Sequence, residues 1–219
     1  MADNYLEKRY DEVFNSRKTK IKRIGHPVDD LLLRNRSYRG YYKDFVVSEE
    51  MLRRIVSVNS RIPSARNQQV LRFRLVTKGA EAEAVLANIR LGNAHPEWHL
   101  PLPGTEPEAF IIVCSCQPES RLVSIDLGIS LQSMLLKAVE MGLGGIIVQA
   151  FNKVRISQAL QLPYEPLVVL AIGKPAERVE LVPIRENESH AYYRENGIHR
   201  VPKIPADQLI IEPVVKNDE

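Results

Sequence analysis

The sequence contains little cysteine, little surplus charge of one sign and no long run of apolar residues. Its two cysteines, Cys114 and Cys116, alternate within an apolar run, which predicts that both lie on one face of a strand as reduced packing residues. None of the five histidines clusters with them, so we expect no metal site. The 30 basic and 27 acidic residues nearly balance, so no nucleic-acid partner is expected and any anion site must be local.

Membrane-spanning and signal segments are also not expected. No stretch approaches the roughly twenty apolar residues of a membrane span, and the first ten residues, MADNYLEKRY, contain no apolar signal region. We therefore expect a cytoplasmic protein with no membrane partner. The length of 219 residues, with 44% hydrophobic and 26% charged content, predicts a single domain over residues 1–219.

The two ends of the chain differ from its middle. Apolar residues at helical spacing predict an N-terminal helix within residues 1–24. The basic run RKTKIKR in this region is interpreted as a solvated linker, with a polyanion site as the alternative. Residues 179–219 lose periodicity, and their prolines exclude a long helix. This C-terminal extension is expected to lie along a surface, such as that of a partner subunit.

Between these ends, apolar patterns predict both helices and strands. Alternation in VLRFRLVT predicts a half-exposed or edge strand, and the continuous apolar runs AFIIVCSC, GGIIVQAF and LVVLAIG predict buried strands. An alanine-rich helix is predicted from Ala80 to Ala94, and a long helix capped by Ser124 is predicted to end at glycines 142–145. Four prolines in the stretch around Trp98 predict a loop or a lid.

Three separated segments carry residues suited to one ligand. NRSYR offers two arginines and a serine that could bind a phosphate, although a solvated basic turn has the same composition. The amides of PSARNQQ suit the alternating carbonyl and N–H groups of a flavin pyrimidine ring, or an ordinary polar turn. The glycines of GLGG permit close approach of a planar ligand, or simply end a helix.

In this order and at these separations, the segments resemble the nitroreductase family. The matching elements are NRSYR, PSARNQQ, IDLGISLQSMLLKAVEMGLGG, AIGKP and GIHRVPK, which together cover Leu31 to Lys203. The resemblance implies an α+β fold with a central, mostly antiparallel sheet surrounded by helices. It also implies an intertwined homodimer that holds FMN at the subunit interface.

The resemblance further implies which residues would contact FMN. The phosphate and ribityl chain would be held by residues of the first segment and one late cation: Asn35, Arg36, Ser37, Arg39 and Lys203. The flavin ring would contact Pro63, Ser64, Asn67 and Gln69 from the other subunit, and Gly144, Gly145, Gln149 and Ala150. Three features depart from the family pattern. Asn35 stands where many relatives have a basic residue, Val70 and Leu71 replace a frequent Pro-Trp pair, and Arg66 adds a charge near the ring.

The function implied by the resemblance is an FMN-dependent oxidoreductase that uses NAD(P)H to reduce nitro compounds, quinones or a related small-molecule acceptor. The chemistry would belong to the cofactor, so no side chain is predicted to be catalytic. Two other hypotheses remain open: a flavin-binding protein without turnover, used in sensing or storage, and a polyanion-binding module that uses residues 17–23. Turnover of NAD(P)H separates the oxidoreductase from the flavin-binding protein without turnover. Flavin absorbance separates both of these from the polyanion-binding module.

Overall fold

A computed structural model describes residues 28–92, 95–211 and 213. The N-terminal helix predicted within residues 1–24 and the basic run lie outside the described residues. Six α-helices are found in the described part of the chain: α1 (Val28–Arg34), α2 (Glu49–Val56), α3 (Ala80–Leu86), α4 (Arg121–Glu140), α5 (Lys153–Ala159) and α6 (Ala206–Leu209).

A four-stranded sheet forms the centre of the fold. Its strands are β1 (Leu71–Val76), β2 (Ala109–Ser115), β3 (Gly144–Val148) and β4 (Glu165–Gly173), in the spatial order β1-β2-β4-β3. Every neighbouring pair is antiparallel. The predicted α+β class with an antiparallel central sheet is therefore confirmed, as is the edge position of β1.

Both faces of this sheet are covered by apolar side chains. On one face, Leu52 of α2 and Met134 of α4 pack against the strand residue Ile111. On the other face, Val85 of α3 and Ile156 of α5 pack in a second cluster. Strand β2 is buried along its whole length because it lies between two strands and between two layers of helices. The continuous apolar run of its sequence reflects burial on both faces.

Helix α4 is the longest element in the described part of the chain. It begins at Arg121, where Ser120 Oγ accepts a hydrogen bond from Val123 N–H at 3.3 Å, so the predicted cap at Ser124 was wrong. By length and composition alone, this helix could cross a membrane, which the sequence analysis did not expect. In the structure, Leu135 and Ala138 pack it into the core beside the sheet. It is accordingly the core helix of the fold.

Two other local expectations were wrong. Helix α3 ends at Leu86 rather than near Ala94, and Asn88 then donates its side-chain N–H to Ala84 O at 2.8 Å. Cys114 is buried in β2, whereas Cys116 is exposed beyond the end of that strand. The alternation continued in the sequence after the strand had ended, so it did not place both cysteines on one face.

Residues 179–209 form a second, smaller sheet and a short helix rather than an irregular surface segment. The strands are β5 (Val179–Pro183), β6 (Tyr193–Glu195) and β7 (Ile198–Lys203), in the order β5-β7-β6. Asn196 and Gly197 join β6 to β7 with φ values of 51° and 76°. Two positive φ values in a two-residue connection are typical of a type I′ hairpin, for which Asn-Gly is the preferred sequence. This dipeptide was the signal that the sequence analysis missed.

Candidate functional site

The NRSYR loop and the glycine segment before β3 lie side by side. Ser37 and Gly145 form an isolated parallel bridge, and Tyr38 N–H donates to Gly145 O at 3.2 Å. The Tyr38 ring covers the neighbouring Gly144 so closely that a Cβ there would lie 2.5 Å from Tyr38 Cδ2. The structure therefore brings together two of the three segments that the sequence analysis selected. The glycine at 144 is needed because the tyrosine occupies the space of a side chain.

Both arginines of this loop have a buried nitrogen without a partner. Arg36 Nη2 donates to Leu32 O, and Arg39 Nη1 donates to Ser37 O at 3.0 Å. The Nε atoms of Arg36 and Arg39 are buried and have no hydrogen-bond partner. Burying a cationic N–H without an acceptor costs free energy, because the group loses its hydrogen bonds to water and forms none with the protein. These two atoms are donors that an anionic or carbonyl-bearing ligand could satisfy.

Arg39 is held from two further directions. Its backbone N–H donates to Glu177 Oε2 at 2.6 Å, and Glu177 Oε1 accepts from Arg194 Nη2 at 2.6 Å. Its guanidinium carbon lies 4.9 Å from the centroid of the Tyr192 ring, within the range of a cation–π contact. Arg39 is only 8% exposed as a result. The side chain is fixed before any ligand arrives.

Tyr192 belongs to an aromatic cluster, which we define as His95, Trp98, Tyr192 and His199. The rings of His95 and Trp98 stack with centroids 4.3 Å apart, and Tyr192 contacts both of them as well as His199. The cluster joins the proline-rich stretch around Trp98 to the small C-terminal sheet. The predicted loop or lid is thus packed against residues that surround Arg39.

His199 is the most deeply buried member of the aromatic cluster. Burial, followed by the charges of Arg39 and Arg194, lowers the pKa of His199 to about 4. Its Nδ1 atom is buried and has no hydrogen-bond partner. A third positive charge next to Arg39 and Arg194 would be repelled by both, so the imidazole is neutral at neutral pH.

The PSARNQQ loop is organised by Asp126, a residue of α4 that the sequence analysis did not select. Asp126 accepts hydrogen bonds from Ser64 Oγ at 2.7 Å, from Ala65 N–H at 2.7 Å and from Gln68 Nε2 at 3.2 Å. Ser64 Oγ in turn accepts from Gln69 N–H at 3.0 Å. The predicted ligand residue Ser64 is therefore already engaged within its own chain. The available signal was a carboxylate flanked by the apolar residues Ile125 and Leu127 in a largely apolar helix.

The same loop contains three residues in the left-handed region of backbone conformation. Arg66, Asn67 and Gln69 have φ values of 53°, 53° and 46°. Residues other than glycine adopt this region at a cost, so the surrounding contacts must hold them there. The hydrogen bonds to Asp126 supply that constraint. The side chains of Asn67 and Gln69 are exposed and bond to each other, with Gln69 Nε2 donating to Asn67 Oδ1 at 3.0 Å.

The protonation of Asp126 follows from these contacts. Burial alone would raise its pKa, but the hydrogen bonds from Ala65, Ser64 and Gln68 favour the carboxylate and lower the pKa below its ordinary value. Asp126 is therefore a carboxylate at neutral pH. In that form it accepts from all three donors at once.

Helix α4 supports both the PSARNQQ and the NRSYR segments. Gln132 Oε1 accepts from Asn35 Nδ2 at 3.2 Å, six residues along the helix from Asp126. Six residues correspond to about 9 Å of helix. No hydrogen bond or ion pair joins the two segments directly within the described residues. Pro63 and Ser64 instead line a separate cavity of about 150 Å³ next to Asp126.

The chain leaves a free backbone donor just after β3. Ala150 O accepts from Arg90 N–H at 2.8 Å, and Phe151 N–H donates to Gln149 O at 3.1 Å. No hydrogen bond from Ala150 N–H is found in the part of the chain that the structure describes. Gln149 is exposed and Ala150 is half-buried. This backbone turn can therefore donate to a ligand.

The sequence matches the model of the Nitroreductase family over residues 32–174, which is well over half of the chain. The chain belongs to the nitroreductase family. None of the curated proteins matches the sequence.

Solved structures share the fold of this family member at low sequence identity. A putative nitroreductase from Desulfovibrio desulfuricans, solved in complex with FMN, is 22% identical, with a TM-score of 0.61 over 87% of this chain and 98% of that chain. An FMN- and NADPH-dependent nitroreductase from Sphigopyxis sp. strain HMH is 19% identical, with a TM-score of 0.57 over 69% and 89%. A nitroreductase family protein from Streptococcus pneumoniae is 14% identical, with a TM-score of 0.61 over 85% and 100%.

One predicted contact of this nitroreductase family member lies apart from the others. Lys203 is exposed at the end of β7, where its backbone oxygen accepts from Ile184 N–H at 3.0 Å. Among the described residues, no ion pair or hydrogen bond joins it to the NRSYR loop. His199, in the same strand, does lie in the aromatic cluster around Arg39. The contribution of β7 to the site is thus seen at His199, while that of Lys203 stays a prediction.

Proposed function

We propose that this protein is an FMN-dependent oxidoreductase that uses NAD(P)H to reduce nitro compounds, quinones or a related small-molecule acceptor in the cytoplasm. Membership of the nitroreductase family supports the general class. The solved relatives described as complexed with FMN, or as FMN- and NADPH-dependent, support the cofactor and the reductant.

The observation that carries the proposal is the pair of unpartnered guanidinium nitrogens at Arg36 and Arg39. Both are buried in a loop that is hydrogen-bonded to the Gly145 segment. A cation with free N–H groups suits a phosphate or a ring carbonyl. FMN has a phosphate at one end and a ring with carbonyl groups at the other, so this donor set fits it.

Different residues of the site would contact different parts of the cofactor. Arg36, Ser37 and Arg39 would bind its polar and anionic groups, together with Asn35 and Lys203. Gly144 and Gly145, which let Tyr38 and the core pack closely against β3, would set the position of the NRSYR loop beside the ring, and the N–H of Ala150 would donate to its edge. When bound, FMN supplies the capacity to accept and pass on electrons. The task of the protein is to orient the two substrates and exclude water.

We also propose that the functional unit is a homodimer. Apolar side chains are exposed on one chain, including Ile125 on α4 and, after α6, Ile210 and Ile211. Exposed apolar patches are typical of surfaces that a partner covers. A second chain would also supply Pro63, Ser64, Asn67 and Gln69, which do not reach the NRSYR loop of their own chain.

The proposal is tested by an absorbance spectrum of the purified protein, with mass spectrometry of any compound released by heat. We expect a flavin spectrum and the mass of FMN. Oxidation of NADPH and NADH is then followed with a quinone and with a nitroarene, and light scattering gives the mass of the assembly. Bound flavin without turnover would favour the sensing or storage hypothesis. A colourless protein that binds no added FMN would contradict the proposal.

A further inference from the structure

A basic groove lies on the outer side of the turn at Ala150. We define it by Asn88, Arg90, Ala150, Phe151, Lys153 and Arg155, which line a cavity of about 640 Å³. It is formed where the chain leaves α3 and where it enters α5. Ala150 is thus shared between this groove and the proposed cofactor site.

The floor of the basic groove is held rigidly by backbone pairing. Arg90 N–H donates to Ala150 O at 2.8 Å, and Asn152 N–H donates to Asn88 O at 2.9 Å. Between these two bonds, residues 89 and 151 form an isolated antiparallel bridge. Asn152 Oδ1 also accepts from Arg155 N–H at 3.0 Å and so caps α5. The position of the groove relative to β3 is therefore fixed.

The charge of the basic groove is positive and mostly unneutralised. Lys153 Nζ lies 2.9 Å from Glu165 Oε1. In contrast, the guanidinium groups of Arg90 and Arg155 have no ion pair and no hydrogen bond to any described residue, and both side chains are exposed. No acidic residue lines the cavity. Two arginines from different parts of the chain line one groove and give a local excess of positive charge in a chain whose net charge is only +3.

Apolar side chains also line this groove. Ile89 and Phe151 are half-buried beside the backbone pairing, and Val154 is 64% exposed at the start of α5. Apolar walls with a few cationic groups suit a flat ligand that carries a negative charge. Water can hydrogen-bond to the two guanidinium groups, but contact of water with the exposed Val154 side chain is unfavourable.

We infer that the basic groove binds an anionic group of the second substrate, the molecule that exchanges electrons with the cofactor. This inference rests on the proposed function, because it is the shared residue Ala150 that places the groove next to the cofactor. Two sources of the anion have the same chemistry: a phosphate of the nicotinamide dinucleotide, or a carboxylate of an aromatic acceptor. Arg90 and Arg155 bind the charge, and the apolar walls contact the flat part of the molecule.

The test uses the full-length, FMN-containing protein and a double variant, Arg90→Gln with Arg155→Gln. Isothermal titration calorimetry measures the binding of NADP⁺, NAD⁺ and 4-nitrobenzoate, and the flavin spectrum measures cofactor content. The matched control is Arg54→Gln with Arg185→Gln, which removes two exposed arginines outside the groove. We expect the groove variant to bind at least one anionic probe more weakly by about tenfold or more, while FMN content is unchanged.

The outcomes assign the anion or reject the inference. Weaker binding of NADP⁺ and NAD⁺ alone identifies a dinucleotide phosphate, and weaker binding of 4-nitrobenzoate alone identifies an acceptor carboxylate. Equal affinities in the groove variant and the control overturn the inference, as does the absence of binding of any probe up to about 10 mM. Failure of the proposed function would instead appear as wild-type protein that contains no flavin and binds none.

Discussion

The guanidinium carbon of Arg39 lies 4.9 Å from the centroid of the Tyr192 ring, although the two residues are far apart in the sequence. Arg39 belongs to the NRSYR loop, and Tyr192 directly precedes the hairpin strand β6. Because the arginine is nearly buried and retains an unpartnered Nε atom, the tyrosine orients a cation whose hydrogen-bonding capacity is not used within the chain. The C-terminal segment therefore takes part in the candidate site.

Replacement of Arg39 by alanine is expected to weaken FMN binding by about 10- to 100-fold, since a hydrogen bond to a charged group contributes about 1.5–3 kcal/mol. Quenching of flavin fluorescence on titration of the apoprotein gives the dissociation constant, and circular dichroism verifies the fold. The exposed Arg185→Ala variant serves as the control and should bind FMN like the wild type. An unchanged affinity in Arg39→Ala would remove this residue from the site.

Two substitutions of Tyr192 separate the role of its ring from that of its hydroxyl. Tyr192→Phe retains an aromatic face over Arg39, so FMN affinity should stay within about twofold of the wild type. Tyr192→Leu loses the cation–π contact, which contributes about 0.5–2 kcal/mol, and should weaken FMN binding by about 3- to 30-fold. The same titration measures both variants. If both bind equally well, orientation of the arginine does not depend on the ring.

Asp126→Ala should lower the free energy of unfolding by about 2–5 kcal/mol, because Ser64, Ala65 and Gln68 would lose their common acceptor inside the protein. Urea denaturation followed by circular dichroism measures this loss. Asp44→Ala is the control, since Asp44 is exposed and should change stability by less than about 0.5 kcal/mol.

The lowered pKa of Asp126 also predicts that the stability of the protein depends on pH. The folded state lowers the pKa of this carboxyl, so its stabilising contribution is present above the ordinary pKa and is lost as pH falls through the folded value. The wild type should therefore lose its advantage over Asp126→Ala under acid conditions. A difference between the two proteins that persists unchanged at low pH would contradict the assigned hydrogen bonds.

The lowered pKa of His199 predicts that stability also depends on pH in a second, higher pH range. Its folded pKa of about 4 lies below the ordinary value of 6.5, so the unfolded chain binds more protons between these values. Stability from the neutral imidazole is complete above the ordinary pKa and declines as pH falls towards the folded one. The melting temperature of the wild type should fall more steeply over this range than that of His199→Phe, which keeps an aromatic ring and cannot titrate. Parallel curves would show that His199 is not held neutral.

Gly144→Ala should destabilise the protein by about 1–3 kcal/mol, because the new Cβ would lie 2.5 Å from Tyr38 Cδ2 and 2.7 Å from Pro175 Cγ. Thermal denaturation measures the effect. Gly128→Ala is the matched control: within one chain no atom lies within 4 Å of a Cβ there, and alanine favours the helical backbone of α4. The prediction fails if the two variants melt at the same temperature.

The central fold could be predicted from the sequence because burial leaves a direct trace in residue type. Strand β2 is apolar at nearly every position since both of its faces are covered, and β1 alternates since one of its faces packs on the core while the other is exposed. The caps at Ser48 and Asn152 are likewise local, because their side-chain oxygens accept from N–H groups only three residues ahead. Local chemistry and burial were sufficient for these elements.

The arrangement around the site could not be predicted in the same way. Asp126 accepts hydrogen bonds from a loop about sixty residues earlier in the chain, and no local sequence pattern indicates such a distant partner. The contact of Tyr192 with Arg39 depends on how the small C-terminal sheet packs, which alternation in short, half-exposed strands does not reveal. Long-range contacts between single polar residues were therefore missed, although two of the three selected segments do lie side by side.

The support of two segments by α4 has a consequence for how paired sites would communicate. In the proposed homodimer, the NRSYR loop of one chain faces one cofactor, while the PSARNQQ loop of that chain faces the other. Asn35 and Ser64 are hydrogen-bonded to the same helix through Gln132 and Asp126, so in such a dimer a movement of α4 at one flavin would be transmitted to the second. Binding of FMN at one site would then alter the affinity of the other site for FMN. Flavin titrations of the dimer should therefore depart from independent binding.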